Sequence, residues 1–90
     1  MKNIENARLV YDKLASWATK RTQEIDILQH MLFTGPITPL EALTEYGCLR
    51  LGARIYDLEH KYPIRIKHEM VGNGTKAYMQ YSLEEDDENA

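Results

Sequence analysis

The chain has 90 residues, of which 43% are hydrophobic and 28% are charged, and this length and composition predict one soluble globular domain with a single core. No apolar run reaches the ~20 residues of a membrane span, and the N-terminus lacks the apolar centre of a signal peptide, so we expect a cytoplasmic protein that does not enter membranes. The single cysteine, Cys48, excludes an internal disulfide and a cysteine-rich zinc site.

The net charge of −3 is distributed unevenly along the chain. Five consecutive acidic residues occupy positions 84–88, and without them the first 83 residues carry 11 basic and 9 acidic side chains. The predicted folded part is therefore mildly basic. We expect residues 84–90 to form a disordered acidic tail, which either keeps the protein soluble, competes for a basic face or mimics nucleic acid.

Residues 1–21 are predicted to form an N-terminal amphipathic helix. Apolar residues recur there at heptad-like spacing, namely Ile4, Ala7, Tyr11, Leu14 and Ala18. This helix either packs on the core of its own chain, with Trp17 against Ile25 and Leu28, or forms a homodimer through residues 4–18. A second helix is predicted from Gln23 to Thr34, where Gly35 and Pro36 end it.

The segment from Thr38 to Lys61 has the pattern of two helices joined by a glycine turn. Thr38-Pro39-Leu40-Glu41 is a capping box with proline at the first helical position. Gly47 suits the left-handed residue that ends such a helix. The second helix, about 49–61, has an apolar face formed by Leu51, Ile55 and Leu58. This is the pattern of a helix-turn-helix, in which the second helix enters the major groove of DNA.

Residues 64–83 alternate apolar and polar side chains around Gly72-Asn73-Gly74, which predicts two strands and a hairpin turn. A hairpin directly after a helix-turn-helix is a wing. The predicted fold is thus mostly α with a β-hairpin: a winged helix-turn-helix over residues 22–83, with an extra N-terminal helix.

Several short motifs resemble the small helix-turn-helix domain proteins of bacteriophages and prophages. The matching residues are Ile37-Thr38, Glu41-Ala42-Leu43, Tyr46-Gly47, Arg50-Leu51, Arg54-Ile55, Asp57-Leu58, Pro63-Ile64, Gly74 with Lys76, and Tyr81 with Leu83. The resemblance covers residues 23–83 and implies a winged helix fold. This fold, together with two arginines of its second helix, predicts a small regulator or accessory factor that binds double-stranded DNA. The chain departs from it at Glu59, where the family often has a basic residue.

Arg50 and Arg54 are the predicted contacts from the recognition helix, because they lie four residues apart on its open side. Either arginine can form a bidentate contact with guanine or bind a phosphate. Arg54 can instead pair with Asp57 or Glu41.

Lys67, Asn73 and Lys76 are the predicted contacts from the wing. Wings commonly touch phosphates or enter a minor groove, and lysine and asparagine suit both roles. The alternative is a hairpin whose polar side chains only meet water.

The sequence contains no pattern that favours an enzyme, and we expect no cofactor. The three histidines lack metal-ligand spacing, and no compact set of nucleophile and base is present. The competing hypothesis is a protein-binding winged helix that binds or inhibits a host protein without binding DNA. The acidic net charge and Glu59 favour this alternative.

Overall fold

The computed structural model describes residues 3–17 and 22–85, which form four α-helices followed by a β-hairpin. The predicted mostly helical fold with a hairpin is therefore confirmed. The helices and strands, in chain order, are α1 (Asn3–Trp17), α2 (Gln23–Gln29), α3 (Pro39–Tyr46), α4 (Leu51–Lys61), β1 (Ile66–Val71) and β2 (Tyr78–Leu83). Of the predicted acidic tail, residues 86–90 lie outside the described part of the chain.

The second predicted helix has two parts rather than one. Thr22 caps α2 by accepting a hydrogen bond from the N–H of Ile25. From His30 to Thr34 the helix continues as a π-helical segment, in which the N–H of Gly35 donates to the carbonyl of His30, five residues earlier. The wider turn leaves His30 and Met31 buried and Phe33 exposed.

The start of α3 has the predicted capping box. The hydroxyl of Thr38 accepts the N–H of Glu41, and the Glu41 carboxylate accepts the N–H of Thr38 at 3.0 Å. Gly47 ends α3 in the left-handed conformation, with φ of 66°, which costs glycine little.

The second helix of the predicted pair, α4, begins at Leu51, two residues later than predicted. Cys48 is buried, and its N–H donates to the carbonyl of Ala42, so the chain is still in the turn at this position. Leu49 follows with 81% of its surface exposed. Arg50 is the first residue whose carbonyl accepts α4 hydrogen bonds, from the N–H groups of Ala53 and Arg54.

One hydrophobic core joins the helices to the hairpin. Its members come from every helix and both strands, and the fully or nearly fully buried ones include Ala7, Ile27, Leu28, Ile37, Ala42, Leu51, Ile55, Leu58 and Ile66. The predicted core face of α4 is confirmed by the burial of its three apolar residues.

The hairpin strands are antiparallel and pair from Ile66 with Leu83 to Val71 with Tyr78. Both strands are shorter than predicted, because Arg65 bonds to α1 and residues 74–76 form a 3₁₀ turn before β2 begins. Ile37 and Tyr81 exchange backbone hydrogen bonds of 2.8 and 2.9 Å, which hold β2 against the link between α2 and α3.

The N-terminal helix packs on the same core. Ala7 is fully buried, and the amide nitrogen of Asn3 donates to the carbonyls of Arg65 and Glu84. The expected packing of Trp17 on α2 is wrong, since 80% of the Trp17 surface is exposed. Trp17 lies four residues after Lys13, on an exposed row of α1.

Candidate nucleic-acid interface

The side of α4 opposite the core is open to solvent. Helical periodicity turns Ala53, Tyr56 and His60 away from the buried residues of α4. Tyr56 and His60 are exposed, and Ala53 is half-buried. Their positions define the outer face of α4 as residues 53, 56, 57 and 60 together with Arg50 at its start.

Arg50 stands at the beginning of this outer face. Its backbone caps α4, and its exposed side chain makes no capping hydrogen bond. The first turn of a helix carries partial positive charge and unpaired N–H groups. Arg50 therefore adds its full charge to the end of α4 that already favours an anion.

Arg54 occupies a flank of α4 rather than its open side. Its guanidinium lies 3.2 Å from the Asp57 carboxylate, and 34% of its side chain is exposed. The Nε of Arg54 is buried and has no hydrogen-bond partner among the described residues. The two arginines therefore do not present equivalent side chains, and Arg54 must leave Asp57 to reach a ligand in front of α4.

Two contacts hold the hairpin against α4. Nε2 of His68 in β1 lies 2.9 Å from the Glu59 carboxylate. A Cβ added to Gly52 would lie 3.7 Å from the hydroxyl of Tyr81 in β2, so the end of the Tyr81 side chain approaches the backbone of α4 there. The hairpin face that carries His68 and Tyr81 is thus turned toward α4.

The three predicted wing residues do not share one surface. Lys67 precedes His68, and side chains alternate along a strand, so Lys67 lies on the face turned away from α4. It lines a groove with Ile4 and Pro36. Asn73 and Lys76 lie in the turn beyond the last strand pair, and both are exposed. Lys67 is therefore removed from the candidate interface.

Lys61, at the end of α4, is held against α2. Its ammonium lies 3.1 Å from the Glu24 carboxylate. The hydrogen bond and the charge of Glu24 raise the pKa of Lys61 above its ordinary value of 10.5. Lys61 therefore contributes its charge to the side of α4 and not to the outer face.

An aromatic pair at the centre of the outer face was not predicted. The rings of Tyr56 and His60 stack with centroids 3.8 Å apart. Nδ1 of His60 lies 2.8 Å from the Tyr56 carbonyl oxygen, which fixes the ring and leaves Nε2 as the second polar atom. The signal was available in the sequence, since these residues lie four apart and opposite the apolar row of α4.

Leu49 was not predicted as a surface residue either. It adjoins a buried cysteine and carries an apolar side chain, so its sequence environment favours the core. The turn geometry after Gly47 instead exposes it beside Arg50.

Neither a metal site nor a membrane-spanning helix is found in residues 3–17 and 22–85. No three histidine, cysteine, aspartate or glutamate side chains come together there in a way that would bind a metal ion. No helix in these ranges has both the length and the apolar character needed to cross a membrane.

Comparison with known proteins identifies the domain. Neither a curated protein nor a solved structure matches the chain. A family model described as a winged helix-turn-helix domain matches residues 22–86. The match begins at Thr22, which caps α2, and therefore leaves α1 outside. Since it covers most of the chain, this protein belongs to the winged helix-turn-helix domain family.

Proposed function

We propose that this protein binds double-stranded DNA in a sequence-specific manner, with α4 in the major groove and the hairpin tip on the backbone. We further propose that it is a transcriptional regulator or accessory DNA-binding factor of a bacteriophage or prophage, acting in the cytoplasm of a bacterial or infected cell. No catalytic role is part of this proposal.

The observation that carries the proposal is the open face of α4, which begins at Arg50 and has the hairpin beside it. Winged helix-turn-helix domains generally use this helix to contact DNA. The width of an α-helix fits the major groove, where each base pair presents a distinct pattern of donors and acceptors. Arg50 supplies charge and donors at the end of the helix where a recognition helix meets the bases.

The remaining contacts follow from the same arrangement. The Tyr56–His60 pair offers a planar surface and polar atoms to base edges. Arg54 can contact DNA only when its guanidinium leaves Asp57 and binds a phosphate or a base instead. Asn73 and Lys76 at the hairpin tip are suited to phosphates. Three cations are available on this surface, namely Arg50, Arg54 and Lys76. If each neutralises one phosphate, the logarithm of the DNA-binding constant should fall with the logarithm of the salt concentration with a slope of about −2.7.

Fluorescence anisotropy with a labelled duplex, at low and moderate salt, tests this proposal. We expect salt-sensitive binding by the wild type and at least about a tenfold loss in Arg50→Ala. The Arg50→Ala/Arg54→Ala double variant should lose most of the binding. Circular dichroism confirms that each variant is folded.

The matched control is Lys67→Ala, which removes the same charge from the hairpin face turned away from α4. Its affinity should stay close to that of the wild type. An equal loss in Lys67→Ala and Arg50→Ala would contradict the assignment of the outer face. No binding by the wild type at tens of micromolar in low salt would contradict DNA binding itself.

The second candidate function is protein binding, in which the same face binds or inhibits a host protein without DNA. The exposed Leu49 and Tyr56 favour it, because they place apolar surface where a nucleic-acid interface is usually basic. Glu59 adds negative charge beside this face. If DNA binding fails, affinity capture from host lysate should be compared between the wild type and a Leu49→Ser/Tyr56→Ser variant.

We also propose that the protein acts as a homodimer through residues 4–18. Helix-turn-helix proteins usually bind as dimers, whose recognition helices reach half-sites about 34 Å apart. In this proposal residues 22–83 form the DNA-binding domain, and α1 supplies the dimer contact.

A further inference from the structure

An apolar groove of about 360 Å³ runs between α1 and the connection that follows α4. Its apolar lining comes from Leu9, Val10, Leu14, Trp17, Tyr62 and Pro63. Leu9 is 59% exposed and Trp17 is 80% exposed, so the groove leaves large apolar side chains in water. Such surface is typical of an interaction site.

The groove belongs to a second face of α1, distinct from the face that packs on the core. Asn3 and Ala7 are buried on the inner face. Leu9 and Trp17 lie on the outer row of the helix, at positions separated by two turns. A helix that only covered its own core would not need this second apolar face.

We infer that the groove binds α1 of a second copy of this chain in an antiparallel arrangement, with Leu9 of the two copies meeting at the two-fold axis. The two outer faces are then the same surface, as an isologous interface requires. The two Leu9 side chains contact each other at the axis, α1 of each copy covers the partner's groove, and Trp17 packs at the edge of the groove. The inference deepens the proposed homodimer but is independent of DNA binding.

Charge complementarity is the reason for choosing a second copy as the occupant. Glu5 and Lys13 are both exposed and lie four residues before and after Leu9. In an antiparallel pair centred on Leu9, each Glu5 therefore faces Lys13 of the other copy, and the symmetry forms this pair twice. Neither residue forms an ion pair within the described part of the chain.

The position of the groove also suits a dimer on DNA. Tyr62 and Pro63 directly follow α4 and form one wall of the groove. Because Leu9 lines the same groove, a two-fold axis at Leu9 would bring the C-terminal ends of both α4 helices toward the axis. Their N-terminal ends, with Arg50, would then point outward toward separate half-sites.

Sedimentation velocity of the full chain without DNA, over a wide range of concentrations, tests the inference. One helix and one short connection line the groove, so we expect an interface near the lower limit of about 1,200 Å² and a reversible monomer–dimer equilibrium. Leu9→Ser should raise the dissociation constant of the dimer at least about tenfold. Because Leu9 is largely exposed, this variant should remain folded.

A charge-exchange series distinguishes a second copy from any other occupant. Glu5→Lys and Lys13→Glu should each weaken the dimer, because each places like charges opposite one another. The Glu5→Lys/Lys13→Glu double variant should restore it, since the exchanged charges again face opposite partners. Recovery in the double variant is expected only if Glu5 of one copy meets Lys13 of another, which an occupant other than this chain does not provide.

Three results would overturn the inference: a monomer at every concentration, a dimer unaffected by Leu9→Ser, or no recovery in the double variant. A monomer would indicate that the groove binds another protein or remains in water. None of these results decides whether the chain binds DNA, which the anisotropy experiment measures separately.

Discussion

The carboxylate of Glu59 lies 2.9 Å from Nε2 of His68 and connects α4 to the first strand of the hairpin. The acidic side chain of Glu59 therefore has a structural partner, and the negative charge beside the outer face of α4 is tied to the orientation of the wing.

Glu59→Gln should loosen the hairpin while changing global stability little. Both side chains are partly exposed, so we expect a loss of less than about 1 kcal/mol in the free energy of unfolding. Amide hydrogen exchange in β1 should become faster, because local opening of the hairpin costs less. The control is Glu69→Gln, which removes the same charge from the opposite face of β1. Equal exchange in the two variants would refute the role of the Glu59–His68 contact.

The Lys61–Glu24 contact should contribute to stability at neutral pH and cease to do so at high pH. The folded state raises the pKa of Lys61 above 10.5, so it favours the charged ammonium. The stabilisation is therefore complete below 10.5 and is lost as the pH rises through the folded pKa. In thermal unfolding at about pH 8, the wild type should have a higher melting temperature than Glu24→Gln. The difference between the two melting temperatures should shrink at high pH. Glu45→Gln, at an exposed position on α3, is the control and should show no such convergence.

Tyr46→Phe should destabilise the protein because it removes the hydrogen-bond partner of the buried His30. Nδ1 of His30 lies 2.8 Å from the Tyr46 hydroxyl oxygen, and Nε2 of this buried histidine already has no partner among the described residues. Loss of the hydroxyl should cost about 1–3 kcal/mol by urea denaturation. In a double-mutant cycle with His30→Leu, the double variant should lose less than the sum of the single losses. Additive losses would show that the contact carries no coupling.

Gly72→Ala should be more damaging than Gly74→Ala, although both glycines have positive φ. A Cβ at Gly72 would lie 2.6 Å from the carbonyl oxygen of Lys76, whereas nothing lies within 4 Å of one at Gly74. Gly74→Ala should therefore lower the free energy of unfolding by about 1 kcal/mol. Gly72→Ala should lower it by more than about 1 kcal/mol beyond that, because the backbone at Lys76 must move to make room for the Cβ. Equal values by chemical denaturation would indicate that the turn adapts freely.

Much of the fold could be predicted because its signals are local. The capping box at Thr38, the left-handed Gly47 and the hairpin turn at residues 72–74 each depend on a few neighbouring residues. The apolar row of α4 depends only on helical periodicity, which brings Leu51, Ile55 and Leu58 to one side of the helix. These features define the order of the helices and strands without knowledge of distant contacts.

The tertiary structure decided which of the remaining side chains are accessible. Periodicity separates the core row of a helix from the rest, but it does not show which flank a neighbouring element covers. Arg54 therefore lies half-buried beside Asp57, while Tyr56 and His60 occupy the outer face. Lys67, which was predicted as a wing contact, lies on the strand face turned away from α4. The sequence did not show this, because only the contact between α4 and the hairpin determines which strand face is turned outward. Burial of a side chain is a property of the packed neighbours, and only the folded chain brings those neighbours together.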